Sequence, residues 1–420
     1  TVFYSGLTVF VTLLSLTFFP LPFLKSFGYA GVSVVALAVA GALFGLPPIL
    51  ALAGSKIDKG VVRRSAITPK DEGRWAQTAR IVMRRPVAVV VLALIVLGIF
   101  AAPLKNVAFS EGDSRILPAS NPAAIATAVQ ADRFSGQTTN PVEIIILGGV
   151  GKDAEIATYS ANLAKVEGIV AVTPPQAFGE DIRIVAYESM LPRTPEAQKM
   201  IHDIREITAP EGTLVGGVAA DYTDSQDGIS STLPWALGWI ALSVFILIFI
   251  FTGSIILPIK AVLLNVLSLA ATMGVLTWVF IDGNLQWLVG SFTVTGTLDT
   301  SIAILIAVVV FGLSMDYELF LLSRIREEHL AGKSNIEAVA TGLQRSARII
   351  TAAALLLAVV FASFITSGVT SIKSMGFGVA LAVILDATIV RGLLVPALMR
   401  LFGERNWWAP KSLQRFTITH

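Results

Sequence analysis

Two acidic residues and a tyrosine lie inside an apolar run, where a charged group is energetically expensive. Asp316, Tyr317 and Glu318 interrupt a hydrophobic stretch that begins near Ser301 and ends near Arg324. A carboxylate in a membrane must be protonated, paired or facing water, and each option ties its charge to its surroundings. Asp316 precedes Arg324 by roughly 12 Å of helix, which is too far for its short side chain to reach the surface. Each option makes the pKa of Asp316 sensitive to its surroundings, as a proton relay within a transmembrane helix requires.

The composition indicates a membrane protein and disfavours several classes of chemistry. Of the 420 residues, 54% are hydrophobic and 14% are charged, whereas soluble domains have about 25% charged residues. The net charge of +2 is too small to indicate nucleic acid binding. With no Cys, three scattered His residues, and Ser, His and Asp far apart, we expect no metal site, no cofactor and no enzymatic activity.

Apolar segments predict eight transmembrane spans. Two spans lie within residues 1–54, one within 86–104, three within 233–323 and two within 349–399. The other short segments are rich in Lys and Arg and comprise a loop over 55–85, an amphipathic surface helix over 324–348 and a tail over 400–420. This topology puts all the basic segments on one side of the membrane, which is typical of the cytoplasmic side. The loop 55–85 can also bind anionic lipid, although topology alone explains its charge.

Residues 105–232 form one long polar segment that we expect to fold as a separate domain. Its seventeen acidic and nine basic residues fit the side of the membrane opposite the basic loops. After a first helix over 122–134, the hydrophobic periodicity predicts the order β-α-β-β-α-β. The predicted elements are strands over 142–147, 169–172, 182–188 and 213–218 and helices over 153–166 and 194–207. This order is typical of a ferredoxin-like α+β domain.

The first two predicted spans resemble the last two, at an offset of 348 residues. Leu24-Lys-Ser-Phe-Gly-Tyr29 matches Ile372-Lys-Ser-Met-Gly-Phe377, and Leu46-Pro-Pro48 matches Leu394-Val-Pro396. Transporters are often built from two such halves with the site between them. Counterparts of the Asp316 helix and of the polar domain would precede the first residue. We therefore expect about four further spans, making twelve, and a further domain in a missing N-terminal half.

Four stretches carry motifs of a known family: Gly312–Arg324 with its Asp-Tyr pair, Arg348–Ala354, Leu385–Arg391 and Asn406–Pro410 with its Trp-Trp-Ala-Pro run. The chain resembles, over essentially its whole length, the MmpL (mycobacterial membrane protein large) transporters of the resistance-nodulation-division superfamily. The resemblance implies a twelve-span α-helical fold with ferredoxin-like periplasmic porter domains, of which this chain corresponds to the C-terminal two-thirds.

The resemblance also implies a function and partners. The family exports lipids or glycolipids of the cell envelope across the bacterial inner membrane, driven by the proton gradient. Asp316 and Tyr317 match the proton-relay pair of its second half, whose first-half counterpart would belong to the missing N-terminal half. The expected partners are protons, membrane lipids or glycolipids and that missing half, with a homo-oligomer as an option. The substrate-binding residues are not identified.

Each residue of the Asp316 helix also has a structural alternative. Asp316 can serve as a hydrogen-bonding group toward a neighbouring helix, and Tyr317 can simply fill space. Gly312 lies one turn from Asp316 and either allows close helix approach or has no special role. Arg324 and Glu318 are expected to be interfacial anchors, with a coupling role as the alternative.

A second buried acid is predicted in the last span. Asp386 lies roughly 20 Å into that span. Arg391 follows five residues later and, in an α-helix, would point to a different face, which makes it a poor partner for Asp386 within the helix. Either residue can pair with the Asp316 helix, as a coupling group or as a structural ion pair.

Two functions fit the sequence. One is a proton-coupled exporter, and the other is a non-transporting membrane sensor or scaffold whose outer domain binds lipid or a partner protein. They differ at Asp316, because only the exporter requires a carboxylate that titrates. Asp316→Asn should abolish transport without unfolding an exporter and should leave a sensor unaffected.

Overall fold

The computed structural model describes residues 2–54, 72–133 and 140–410. In this part of the chain, seven apolar helices are long enough to cross a membrane, and a shorter apolar helix covers Val2–Phe18. The seven are Pro22–Ala53, Pro86–Asn106, Val218–Thr252, Ile256–Ile281, Thr300–Leu330, Asn335–Thr366 and Thr370–Trp407. The protein is therefore a multi-pass membrane protein. The first of the eight predicted spans coincides with the shorter helix, which at 1.5 Å per residue is about 26 Å long, less than the full hydrocarbon thickness.

The α-helices of the described residues are numbered in chain order. They are α1 (Val2–Leu14), α2 (Pro22–Ala40), α3 (Leu46–Ala53), α4 (Arg74–Arg84), α5 (Pro86–Ala101), α6 (Pro122–Arg133), α7 (Asp153–Leu163), α8 (Pro195–Glu206), α9 (Val218–Thr252), α10 (Ile256–Leu276), α11 (Gln286–Val289), α12 (Thr300–Leu330), α13 (Asn335–Ser363), α14 (Thr370–Leu385) and α15 (Val395–Phe402). Of the predicted basic loop, residues 55–71 lie outside the described residues, as does 411–420 of the predicted tail.

The segment predicted as a separate surface helix over 324–348 has a different structure. It consists of the end of α12, a short turn and the beginning of α13. Gly332 has a φ of +87° in that turn, a conformation that favours glycine. The hydroxyl of Ser334 then accepts a hydrogen bond from the backbone N–H of Glu337 at 3.4 Å and caps α13. The two helices that cross the membrane therefore extend into this polar region and leave no room for a third.

The polar segment folds as an α+β domain with one main sheet. Its strands are β2 (Val142–Ile146), β3 (Ile169–Val172), β4 (Gln176–Phe178), β5 (Asp181–Glu188) and β6 (Thr213–Gly216), following the short β1 (Phe109–Ser110). The sheet order is β3-β5-β2-β6, with all neighbours antiparallel and β4 paired to β5. Ile144, Tyr159 and Ile201 are buried where α7 and α8 cover the sheet.

Three connections join the α+β domain to the membrane helices. The first is α5, which leads through Ala102–Asn106 into β1. The predicted domain boundary at residue 232 falls inside α9, which starts at Val218 against the sheet and continues unbroken into the membrane. In addition, β1 pairs in parallel with β7 (Leu298–Asp299), and Asp299 caps α12 by accepting a hydrogen bond from the N–H of Ile302 at 3.1 Å. The helix that carries Asp316 therefore begins directly at the base of the domain.

The internal repeat recurs in the backbone geometry. In the first copy, α2 passes through a π-helical segment, Gly41–Gly45, into α3, and in the second copy α14 passes through a π-helical segment, Asp386–Leu394, into α15. Both copies end at a glycine of unusual conformation, Gly54 with φ +48° and Gly403 with φ +53°. The two spans thus share their irregularities as well as their residues.

Candidate functional site

Asp386 and Arg391 form a buried ion pair. Nη2 of Arg391 donates a hydrogen bond to Oδ2 of Asp386, and the two residues are only 1% and 5% exposed, respectively. The sequence-based expectation that they would be poor partners within one helix is wrong. They lie in the π-helical segment Asp386–Leu394, where backbone hydrogen bonds join residues five apart, so i and i+5 come to one face.

The Asp386–Arg391 pair is attached to α12. The hydroxyl of Ser314 donates a hydrogen bond to Oδ1 of Asp386 at 2.8 Å, and the backbone carbonyl of Ser314 accepts one from Arg391 at 2.8 Å. The guanidinium carbon of Arg391 also lies 4.9 Å from the ring centroid of Tyr317, which is a cation–π distance. Sequence reasoning missed Ser314, although it lies two residues before Asp316.

Asp316 faces a different neighbour, α1. The hydroxyl of Ser5 donates a hydrogen bond to Oδ1 of Asp316, and Asp316 is half-buried between the two helices. Arg391 is close enough to Asp316 to attract it electrostatically. Sequence reasoning missed Ser5 as well, but a signal was present. Hydroxyl residues recur at helical spacing along one face of the first span, namely Ser5, Thr8, Thr12 and Ser15.

These contacts define a charge cluster composed of Ser5, Asp316, Tyr317, Asp386 and Arg391. It holds two carboxylates and one guanidinium, and it connects α1, α12 and the π-helical segment. Nε and Nη1 of Arg391 are buried without a hydrogen-bond partner among the described residues. The guanidinium therefore has unused donors inside the charge cluster.

Of the other predicted site residues, Glu318 is close enough to Arg391 and Asp386 to interact with them electrostatically, whereas Arg324 lies apart from the charge cluster. Glu318, expected to be an interfacial anchor, is buried and lines a small cavity together with Lys260 of α10. Arg324 instead forms an ion pair with Glu327 at 2.7 Å and stacks on Phe320, with a side chain that is 42% exposed. This arrangement fits the interfacial anchor that the sequence indicated for Arg324.

Gly312 lies at the contact between α12 and α1. A methyl group at this position would meet the Cβ atom of Thr12 at 3.4 Å, an ordinary van der Waals distance. Close approach of the two helices therefore does not depend on glycine here. No group of three or more His, Asp or Glu residues suited to a metal ion occurs in the described parts of the chain.

A large apolar cavity lies in the α+β domain. It has a volume of about 760 Å³, within the usual range for ligand sites, and α6 forms much of its wall through Ile125 and Val129. Asp113, Arg115 and Arg193 contribute charged side chains to its lining. Although burial raises the pKa of the Asp113 carboxyl, hydrogen bonds from the side chain and the backbone of Arg115 hold that pKa below its ordinary value. The cavity thus combines mainly apolar walls with a few charged groups.

The fold and the charge cluster together define a class of protein: a polytopic membrane protein with ionisable groups in its core and an α+β domain on one side. Within that class, the chain belongs to the MMPL family, whose sequence profile matches residues 1–89 and 116–417. This confirms the family resemblance found in the sequence.

Individual relatives are similar over almost the whole chain. It is 38% identical over 417 residues to a membrane protein of Streptomyces coelicolor, covering 99% of this chain and 57% of the relative. It is 32% identical over 459 residues to the trehalose monomycolate exporter MmpL3 of Mycobacterium tuberculosis, covering 99% of this chain and 48% of that protein. The chain thus spans about half the length of these relatives.

A solved structure shares the fold at low sequence identity. The hedgehog release protein Disp from the water bear Hypsibius dujardini has a TM-score of 0.66 and 11% identity to this chain, covering 96% of this chain and 58% of Disp. At this identity the likeness concerns only the fold, including both the helices and the α+β domain.

Proposed function

We propose that the chain forms part of a proton-driven exporter of lipids or glycolipids, working across the bacterial inner membrane toward the periplasm and cell envelope. The observation that carries the proposal is the charge cluster, in which two carboxylates share the surroundings of one buried guanidinium. Buried acids within a membrane are expensive and are retained where a proton or an ion is handled. Family membership and the exporter function named for the Mycobacterium tuberculosis relative support the transport of lipid.

The proposed architecture completes the fold of the chain. We count the helix Val2–Phe18 as a transmembrane span, which brings the number in this chain to eight. Residues outside this chain would supply the remaining spans of a twelve-span exporter. The sheet order β3-β5-β2-β6 with α7 and α8 on one face supports a ferredoxin-like domain of porter type. We place this domain in the periplasm, and its apolar cavity of about 760 Å³ is our candidate for the substrate-binding site.

In the proposed mechanism, the charge of Asp316 controls the partners of Arg391. When Asp316 is ionised, Arg391 is attracted toward both Asp316 and Asp386. Protonation removes the charge of Asp316, so the guanidinium is drawn entirely to Asp386, and the hydrogen bond from Ser5 weakens. Tyr317 lies against Arg391 and follows its position. The contact of α12 with α1 thereby acquires two arrangements, one for each protonation state.

The domain receives this change through α12. The helix begins at β7, which pairs with β1 at the base of the α+β domain. A shift of α12 along or about its axis therefore moves Leu298 and Asp299, and with them the strand at the entrance to the domain. Coupling of this kind requires a contiguous packed element with two positions, which α12 supplies.

The first test is proton-driven lipid efflux from vesicles by the full-length protein, comparing native protein with Asp316→Asn. We expect the variant to insert and fold, because Asn retains a hydrogen-bonding partner for Ser5, but to lose efflux by at least about tenfold, since it cannot exchange a proton. Arg324→Gln is the matched control on the same helix and should retain efflux, because Arg324 lies outside the charge cluster. Unchanged efflux in a folded Asp316→Asn protein would contradict the proposal and favour the lipid-binding sensor or scaffold.

A further inference from the structure

A second cavity, distinct in character from the apolar one, lies where the spans reach the side that carries the α+β domain. It has a volume of about 670 Å³ and is lined by residues 117–120, 288–293 and 365–368 and by Thr370 and Lys373. Serine, threonine and backbone groups make up much of its wall. The cavity lies at the N-terminal end of α14, at the turn between α13 and α14.

Lys373 supplies this cavity with a buried positive charge. The residue is 5% exposed, and its Nζ donates hydrogen bonds to the backbone carbonyls of Val289 at 2.8 Å and of Ser291 at 3.2 Å. In the described parts of the chain it forms no ion pair with a carboxylate. Two neutral carbonyls do not neutralise the charge of a buried ammonium. Binding of an anion beside the ammonium is therefore electrostatically favourable.

The surroundings leave the ammonium group of Lys373 accessible from the cavity. An ammonium has three N–H donors, and the two carbonyls use only two of them. Gly290 lines the cavity next to Nζ, and a Cβ atom at that position would lie 3.0 Å from Nζ. Gly290 also has a φ of +80°, which favours glycine. The absence of a side chain at position 290 thus keeps the third donor open.

The start of α14 adds further N–H donors. Thr370, the first residue of the helix, lines the cavity, and no side chain caps this helix N-terminus. The free backbone N–H groups and the positive end of the helix dipole favour an anion at this point. The buried lysine and the uncapped helix end are therefore two separate features that favour a ligand of the same charge.

We propose that this cavity binds a phosphate group, with Lys373 as its cation. The phosphate can belong to an anionic lipid headgroup or be free in solution. Exposed apolar side chains flank the cavity, namely Trp287, Leu288, Phe364 and Ile372, as expected for a site at a membrane surface. A phospholipid would place its phosphate on Lys373 and its chains against these residues. The inference does not depend on the proposed export function.

The test measures ligand-dependent thermal unfolding of the whole protein in a non-ionic detergent that carries no phosphate, in phosphate-free buffer. Phosphatidylglycerol added to the micelles, or inorganic phosphate added to the buffer, is the probe. We expect stabilisation of the native protein by phosphatidylglycerol, and binding about tenfold weaker in Lys373→Gln, the loss typical of one charge-assisted hydrogen bond. Stabilisation by inorganic phosphate alone, lost in the same variant, would support the site and identify a soluble anion as its ligand.

The chain offers a matched control in Lys25, the repeat counterpart of Lys373. Both lysines lie in the first turn of a span within the same Lys-Ser motif, but Lys25 does not line the cavity. Lys25→Gln should therefore bind like the native protein. Equal losses in Lys25→Gln and Lys373→Gln, or equal responses of native protein and Lys373→Gln, would overturn the proposal.

A second pair of variants covers the case in which Lys373→Gln fails to fold. Ser120 is exposed and lines the cavity, so a change there should not disturb packing. Ser120→Glu should weaken phosphate binding through repulsion, and Ser120→Lys should strengthen it. If both variants respond alike, the cavity does not bind an anion.

Discussion

At the scale of the residue, Arg391 is the side chain on which the electrostatic contacts of the charge cluster converge. It forms an ion pair with Asp386, donates to the carbonyl of Ser314 and lies against Tyr317, all while almost fully buried. A buried guanidinium is stabilised chiefly by its carboxylate partner, because few other groups can replace water around it. The pair is thus stable only as a unit, although neither member need be essential to the fold.

Removal of one member of this pair should therefore cost more stability than removal of both. We expect Arg391→Gln to leave Asp386 as an unpaired buried carboxylate and to lower the free energy of unfolding by about 3–5 kcal/mol. Adding Asp386→Asn should recover a large part of that loss. The measurement is a double-mutant cycle from thermal unfolding in detergent. Additive losses in the double variant would show that the two side chains do not interact energetically.

A buried acid in the α+β domain provides a test of pH dependence. Glu188, at the end of β5, is fully buried, and neither of its carboxylate oxygens has a hydrogen-bond partner among the described residues. Burial raises its pKa to about 7. The folded state therefore holds a proton that the unfolded state releases near pH 4.5, so the free energy of unfolding falls as pH rises from about 4.5 to 7 and is constant above.

The variant Glu188→Gln should remove this pH dependence. It keeps the size of the side chain without the charge, so we expect a gain of about 3 kcal/mol at pH 8, from the shift of the pKa, and little change at pH 4.5. Thermal unfolding of native and variant protein at the two pH values provides the measurement. A gain of equal size at both values would assign the effect to packing instead of titration.

At the scale of the element, the packing of α12 against its neighbours depends on Gly342 of α13 and not on Gly312 of the family motif. Gly312 belongs to the family motif, yet a methyl group there would meet Thr12 at an ordinary 3.4 Å. By contrast, a Cβ atom at Gly342 of α13 would lie 2.8 Å from the backbone nitrogen of Ile325 on α12. Backbone cannot move aside as a flexible side chain can, so close contact between α12 and α13 requires Gly342.

Two alanine substitutions compare these positions directly. We expect Gly312→Ala to change the free energy of unfolding by less than about 1 kcal/mol, because space is available. Gly342→Ala should destabilise by about 1–3 kcal/mol, the usual result of overpacking, because α12 and α13 must separate. The thermal unfolding of both variants in the same detergent decides the matter, and a larger loss for Gly312→Ala would contradict the packing described for the two helices.

At the scale of the whole molecule, hydropathy was enough to predict the seven long apolar helices of the described residues, but not the local geometry. Long apolar runs identify the spans because the bilayer imposes a length on them. The Asp386–Arg391 pair was not predictable from spacing, because only the π-helical backbone brings residues five apart together. The burial of Glu318 was missed for a related reason: it arises from packing against other helices, since Glu318 shares a small cavity with Lys260 of α10 and Met399 of α15.

The role of the hydroxyl groups as hydrogen-bond partners in the charge cluster could not be predicted from single sequence motifs either. Ser5 and Ser314 are ordinary residues in their own spans and become partners of acids only when α1, α12 and the π-helical segment Asp386–Leu394 are packed together. The separate surface helix over 324–348 was expected because an amphipathic pattern does not reveal that one turn, at Gly332, divides it between two long helices. Tertiary contacts decide such points, whereas local pattern decides element type.

The attachments of the α+β domain limit how it can move. α9 is a single helix of 35 residues shared by the domain and the membrane bundle, the β1–β7 pair lies at the start of α12, and α5 leads through Ala102–Asn106 into β1. Because several elements hold the domain at once, it cannot swing freely about one hinge. A displacement of the domain therefore requires that at least one of the helices α5, α9 and α12 shifts or bends.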